Sequence, residues 1–410
     1  MNRFRHFLLT VIPLIFFEKM ILLRSPILIT TRMVIAAHAM ISLLWFISLV
    51  LQRKHPQEKL DQTIRRLFLL LIYLTSIAIA SIFSTFPRVS LVRLSHPMIA
   101  FGYATFFFST FNSSLLNRTL KIFSILTLFS AVISFSILIF RWNLSIPTLP
   151  FLTDFDQTLL THYTSVKGVI PIFGSLILTY PMLALFWENR RTKNIATFGY
   201  ILISITFVAY ASRGNFLVYL IGMITLSWLI PAWRKHAGQI IMLITLLVAV
   251  QYIFSLPRQQ TNLFQRLTFQ KEIDKDTVAS RFRFASQSLT IFQKNPLVGV
   301  GYGNYENFAG VVYDGPVAIT DPHNIVLLHL AETGVIGTIG LITMLGGLLI
   351  MDLKYLFNTI KGKNKVDPIN AILVVSSFSY ILINMSEHHL HSRMTVFFII
   401  RALIAAHQDA

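Results

Sequence analysis

The chain is 410 residues long, 54% hydrophobic and only 13% charged, with a formal net charge of +18 and no cysteine. Soluble domains carry about a quarter charged residues, so this balance excludes an ordinary soluble globular protein and indicates a membrane one. The cysteine count excludes disulfides, thiolate catalysis and Cys-ligated metals.

The chain opens MNRFRHFLLTVIPLIFFEKM, a basic start and an apolar run like a secretory signal. Glu18 and Lys19 follow the run and no small-residue cleavage site does, so a retained first helix is expected. Crossing a bilayer takes roughly 17–25 apolar residues. Runs of that order recur at 6–23, 33–51, 67–85, 97–112, 119–140, 168–187, 195–211, 214–231, 238–255, 324–352, 368–386 and 393–407. The expected architecture is an all-α polytopic protein of about 12 transmembrane helices, with 1–410 forming a single transmembrane domain.

With the N-terminus inside, eighteen lysines and arginines fall in cytoplasmic segments. Eight fall in short outer connections: Arg24, Arg32, Arg88, Arg93, Arg141, Lys167, Arg213 and Arg393. This asymmetry follows the positive-inside rule and puts both termini in the cytoplasm. Most of the basic charge is therefore topology, and no nucleic-acid partner is expected. The outer basic residues suggest an anionic ligand, although anionic membrane lipids account for any one of them equally well.

The one long loop, 256–322, is expected to form an outer subdomain carrying part of the site. Within it ASRFRFASQSLTIFQKNPL reads as a helix lying on the membrane, ended by Pro296. Phe282, Ala285, Leu289 and Phe292 share one face, and Arg283, Gln287, Thr290 and Lys294 another. Then follows VGVGYGNYENF, with Gly299, Gly301 and Gly303 alternating. Two readings stand for these glycines, a cradle of N–H groups for phosphate or a tight turn.

The candidate chemistry clusters on the outer side. Arg213 lies in a turn so short that its guanidinium is held at the interface, where arginine is costly unless paired or hydrated. Arg281 opens the surface helix in this reading and is positioned to hold an anion with helix N-terminal N–H groups. His323 precedes the tenth span, and an imidazole, ordinarily near pKa 6.5, takes up a proton at neutral pH. Glu332, nine residues on, falls on the opposite face of a regular helix and suits a bond to a neighbouring element. Asn324 is better placed to assist His323. Arg283, Tyr302, Asn324, Lys167 and Arg88 form the candidate substrate-binding set. Two Asp pairs, Asp154/Asp156 and Asp274/Asp276, and the run SEHHLHSR at 386–393 are weak metal signals, and no metal site is expected.

Three segments in order carry a family pattern: SRG at 212–214, SRxxxxxxxLxxFxxNPLxGVGxGNY at 280–305 and HNxxLxxLAETGxxG at 323–337. Together they resemble the O-antigen ligase and O-antigen polymerase superfamily of bacterial inner-membrane glycosyltransferases. The motifs span about a third of the chain, and the twelve-span layout with a large outer loop before the tenth span is similar to the ligases. The sequence departs from the pattern at Ala285, where an aromatic is expected. The resemblance implies a GT-C-like fold and a periplasmic active site in the inner membrane. It also implies an undecaprenyl-diphosphate-linked glycan as donor, lipid A–core as acceptor, and metal-independent inverting displacement. It gives Arg213 and Arg281 the diphosphate and His323 the acceptor hydroxyl. The donor stores the energy, so no cofactor is implied and no Walker motif is needed.

The polymerase, which joins two lipid-linked repeats, needs the same three groups. The loop placement and the HN…AETG segment favour the ligase. A lipid-linked-glycan transporter is the non-enzymatic alternative. It predicts charge spread through mid-membrane and broken helices in paired halves, whereas the charges here cluster at one face.

Overall fold

A computed structural model describes residues 57–110, 194, 213–230, 245, 272–312, 322–361, 366–386, 401 and 404. These residues form helices and contain no strand: α1 (Gln57–Ile82), α2 (Pro87–Thr110), α3 (Arg213–Leu229), α4 (Glu272–Lys294), α5 (Tyr305–Val312), α6 (Ile325–Lys361) and α7 (Pro368–Ser386). Among them three segments are long and apolar enough to span a membrane: Arg65–Ile82, Ile325–Lys361 and Pro368–Met385. The expected spans 6–23, 33–51, 119–140, 168–187 and 195–211 lie outside the described residues, as do nearly all of 238–255 and 393–407.

The helix bounds differ from the hydropathy pattern where polar residues are themselves good helix formers. Helix α1 begins ten residues before the apolar run, in QEKLDQTIRR, whose Glu, Lys, Leu, Gln and Arg residues favour helix without being apolar. Helix α2 begins at Pro87 rather than 97, because proline fits the first helical position, where its missing N–H is not needed. Helix α6 runs to Lys361, 37 residues rather than the 29 of 324–352. At about 1.5 Å per residue it outreaches a hydrocarbon core of about 30 Å. Helix α7 keeps its expected bounds, and Asp367 explains its start: Oδ1 accepts the Ile369 N–H at 3.0 Å, an N-cap ahead of Pro368.

The chain divides into two compact units. One comprises Met1–Leu28, Ser113–Glu272 and Val366–Tyr380, and so contains α3. The other comprises Ile29–Asn112, Ile273–Lys365 and Ile381–Ala410. In this second unit α1 packs on both α2 and α6. Leu70, Tyr73, Ile77 and Ala80 of α1 are fully buried, while Phe68, Leu71 and Ile82 face outward. Apolar residues on both faces suit a helix with protein on one side and lipid on the other. The backbones meet closely at Gly340, where a Cβ would fall 1.9 Å from Ser76 Oγ.

Far along α6, the Asp352 carboxylate is buried against the Arg401 guanidinium. NH1 faces Oδ2, and NH2 donates to Oδ1 at 2.9 Å. Both side chains are essentially inaccessible, at 1% and 2% exposure. This pairing was invisible in the sequence, where the two residues lie in different spans.

Candidate active site

The site is built around a break in α6. At Gly334 the backbone takes φ 60° and ψ −158°, a conformation outside the helix. A continuous helix would pair the Val335 and Ile336 N–H groups with the Ala331 and Glu332 carbonyls. The loop 296–301 supplies replacements instead. Val335 N–H donates to Pro296 O at 2.8 Å and Ile336 N–H to Leu297 O at 3.2 Å. In return Ala331 O accepts from Val300 N–H at 3.1 Å and Glu332 O from Gly301 N–H at 2.6 Å. Four groups freed by the break are thus satisfied without water, as burial in a membrane protein requires.

The glycines are the condition for this stitching. A Cβ on Gly299 would lie 2.3 Å from the Glu332 backbone carbon, and one on Gly334 would lie 2.4 Å from that of Leu297. Both residues also have positive φ, which an L side chain adopts only at a cost.

The Glu332 carboxylate completes the arrangement. Oε2 accepts the Gly303 N–H at 2.8 Å and Oε1 the Tyr305 N–H at 3.0 Å, so a negative charge sits at the N-terminus of α5. The anion held by the glycine-rich turn is therefore the protein's own, and the phosphate-cradle reading gives way to the tight turn. The N–H groups of Gly299, Gly301 and Gly303 are all engaged within the chain. Arg93 of α2 donates to the Gly303 carbonyl, and Asn304 Nδ2 donates to Ser90 Oγ at 2.8 Å, fixing the same turn to α2.

Beneath the turn Tyr302 is buried, its ring edge-on to His329 with centroids 6.3 Å apart. Burial, with the Glu332 carboxylate adding to it, raises the Tyr302 phenol well above its ordinary range and keeps it protonated. His329 Nδ1 lies 3.0 Å from Ile325 O, which can only accept, so Nδ1 carries the proton. Nε2 is then the acceptor for the Tyr73 hydroxyl at 2.8 Å.

His323 stands just before α6 with φ 51°, the only left-handed residue other than glycine among the described residues. Such backbone costs about 1–3 kcal/mol and persists where surroundings enforce it, often at functional sites. Asn324 is the enforcing neighbour. Its Oδ1 accepts the Val326 and Leu327 N–H groups at 2.9 and 3.0 Å, an N-cap for α6, and its Nδ2 donates to Met385 O at 2.9 Å. The Asn324 amide, expected to meet substrate, is engaged in holding His323. The half-buried His323 ring lies against Phe284 of α4, with centroids 5.5 Å apart.

Helix α4 begins at Glu272, so Arg281 lies well inside the helix. The expectation that it shares helix N-terminal N–H groups with an anion fails, because those groups lie two turns upstream. Arg281 instead gains its position from the stripe it extends. Phe284, Gln287, Ser288 and Ile291 recur at helical spacing, and the last three are buried. Arg281 is exposed one turn before Phe284, at the end of this stripe nearest His323. On the expected apolar face, Phe282 is 73% and Leu289 44% exposed, turned from the protein. Gln287, expected on the polar face, is 3% exposed.

The other expected residues are spread more widely. Arg283 is exposed and off the protein-facing stripe, and Arg88 is exposed at the second position of α2. Arg213 is the first residue of α3, in the other compact unit. Lys167, the Asp154/Asp156 pair and the histidines at 388, 389 and 391 lie outside the described residues. Asp274 and Asp276 belong to the first turns of α4 rather than to a loop.

The described residues are thus helical, with a glycine-rich turn stitched into a break in a helix long and apolar enough to span a membrane, and with a left-handed histidine beside an arginine-bearing helix. The O-antigen ligase family model matches residues 198–342, which takes in α3, α4, the glycine turn and the first half of α6. Over this stretch, about a third of the 410 residues, the chain is similar to the O-antigen ligase family. No curated protein matches the chain.

Proposed function

We propose that the protein is an O-antigen ligase, transferring a glycan from undecaprenyl diphosphate to a sugar hydroxyl of lipid A–core at the periplasmic face of the inner membrane. The observation that carries this reading is the placement of His323, held left-handed with its ring on Phe284, one helical turn from Arg281. The acceptor oxygen attacks the anomeric carbon as its proton passes to the His323 imidazole. The bond from that carbon to the diphosphate oxygen breaks, and the electron pair leaves with the lipid diphosphate. Arg281 neutralises the charge developing there, where a prepositioned donor acts with little reorganisation. Inversion follows from a single displacement, and no metal or cofactor takes part.

The family match supports ligase or polymerase chemistry equally, since both use this donor. The break in α6 argues against transport: its freed carbonyls accept from the turn and are not available to coordinate a solute. The deciding experiment compares lipopolysaccharide and lipid-linked glycan in cells lacking the gene. A ligase deletion removes the long-chain ladder while undecaprenyl-linked polymer accumulates, and His323→Ala does not restore it. Persistence of core bearing one repeat would instead identify a polymerase.

A further inference from the structure

We propose that Gln287 is a sugar-recognition residue of this site, its side-chain amide pairing with a hydroxyl or acetamido group of a glycan substrate. The proposal rests on the reading of the protein as a lipid-linked-glycan transferase. Gln287 is 3% exposed, yet neither Oε1 nor Nε2 has a hydrogen-bond partner. Both ends of a buried amide are thus unpaired, a state that costs stability and that folded proteins avoid. The remaining polar groups of the same stripe are provided for. Ser288 Oγ donates to Phe284 O at 2.8 Å and meets the Tyr305 hydroxyl at 3.1 Å.

Position makes the unpaired amide informative. Gln287 lies one turn beyond Phe284, whose ring touches His323, and two turns beyond Arg281 on the protein-facing side of α4. The chemistry of the missing partner follows from the two free ends. Oε1 needs a donor and Nε2 needs an acceptor. A diphosphate has no donor to give at neutral pH, and a polyprenyl chain has neither. Sugar hydroxyls and acetamido groups offer both. Gln287 is covered in the structure, so a sugar reaches it when α4 tilts outward. That motion is opposed on this stripe by the Phe284–His323 ring contact and the Ser288–Tyr305 bond. Pairing with the sugar removes the cost of the unpaired amide, which gives substrate a differential affinity for the tilted state.

The test is ligand-induced thermal stabilisation of the full purified chain and its Gln287→Met variant, an apolar replacement of similar shape. The probes are undecaprenyl-diphosphate-linked glycan and lipid A–core, each isolated from the host strain and titrated separately. The expected result is an unliganded midpoint equal to or above wild type, with apparent Kd for one of the two probes raised tenfold or more. The probe affected identifies which sugar Gln287 meets. Equal affinities of variant and wild type for both probes overturn the proposal. So does a variant that fails to fold, because the amide would then be supporting the packed state. A wild type that is stabilised by each probe but transfers no glycan when the two are then mixed with it overturns the reaction assigned above and leaves Gln287 judged by the shift alone. A wild type stabilised by neither probe overturns both.

Discussion

The hydroxyls of Ser288 and Tyr305 lie 3.1 Å apart, and this one bond closes a ring of contacts around the site. Ser288 donates its proton to Phe284 O, so Tyr305 is the donor between the two hydroxyls. From Tyr305 the ring runs through its backbone N–H to Glu332, along α6 to His323, across to Phe284 and down α4 to Ser288. Tyr305→Phe and Ser288→Ala should each cost about 0.5–1.5 kcal/mol of stability and slow transfer severalfold. Because they remove the same bond, the double variant should be little worse than either single. A double-mutant cycle on turnover checks this, and simple additivity would show the bond is not the coupling.

His323 combines a ring and a backbone conformation, and two substitutions separate them. His323→Gly accepts φ 51° without strain, whereas His323→Ala retains a Cβ there. Both should lose about 10²–10⁴-fold in transfer, the usual contribution of a general base. The glycine variant should be at least as stable as the alanine one in thermal unfolding. Activity retained in the glycine variant would mean that the ring is dispensable.

Asn324→Ala removes both the cap of α6 and the bond to Met385 O. A stability loss of about 1–2 kcal/mol is expected from the cap. Asn324→Asp keeps the capping oxygen and should recover most of that stability while losing the bond to Met385. Recovery of transfer in the aspartate variant would separate the cap from the tether.

Glu332→Gln retains the shape of the side chain but replaces one acceptor with a donor facing a backbone N–H. It leaves either the Gly303 or the Tyr305 N–H unpaired in a buried place, at a cost of about 1–3 kcal/mol. Glu332→Ala leaves both unpaired and should lower the unfolding midpoint further. Equal midpoints for the two variants would mean that only one of the bonds matters.

Two glycines of this chain make a matched pair. Gly299→Ala places a methyl 2.3 Å from the Glu332 carbonyl carbon at positive φ and should abolish accumulation of folded protein. Gly346→Ala meets nothing within 4 Å and lies within α6. It should be neutral or stabilising by up to about 1 kcal/mol, the difference in helix propensity. Detergent-extracted yield and unfolding midpoint distinguish them.

The parts of the fold legible in the sequence were those governed by apolar length. Helix α7 matched residue for residue, and α3 fell within two residues of expectation. Where polar helix formers adjoin an apolar run, as at Gln57–Arg66, hydropathy has no signal for the boundary. The place of His323 just before the tenth span was legible, but its left-handed backbone was not. The roles of Glu332 and the glycines depend on contacts across some thirty residues, between the turn and the far side of a helix break. One signal did exist: ETG at 332–334 puts a helix-breaking residue two positions after a carboxylate. The packing side of α4 was hidden because its exposed side carries the apolar residues Phe282 and Leu289, and the buried Gln287 then counts as solvent-facing.

The Asp352–Arg401 pair has a consequence for how the protein is made. Its carboxylate is synthesised forty-nine residues before its guanidinium, since the residues are 352 and 401. Removing one member of a buried pair costs about 3–5 kcal/mol. A nascent or truncated chain that has not yet delivered Arg401 therefore carries a deficit at one carboxylate, in a segment otherwise ready to pack. Membrane proteases that sample such defects would distinguish finished from unfinished molecules at Asp352, long before any glycan is transferred.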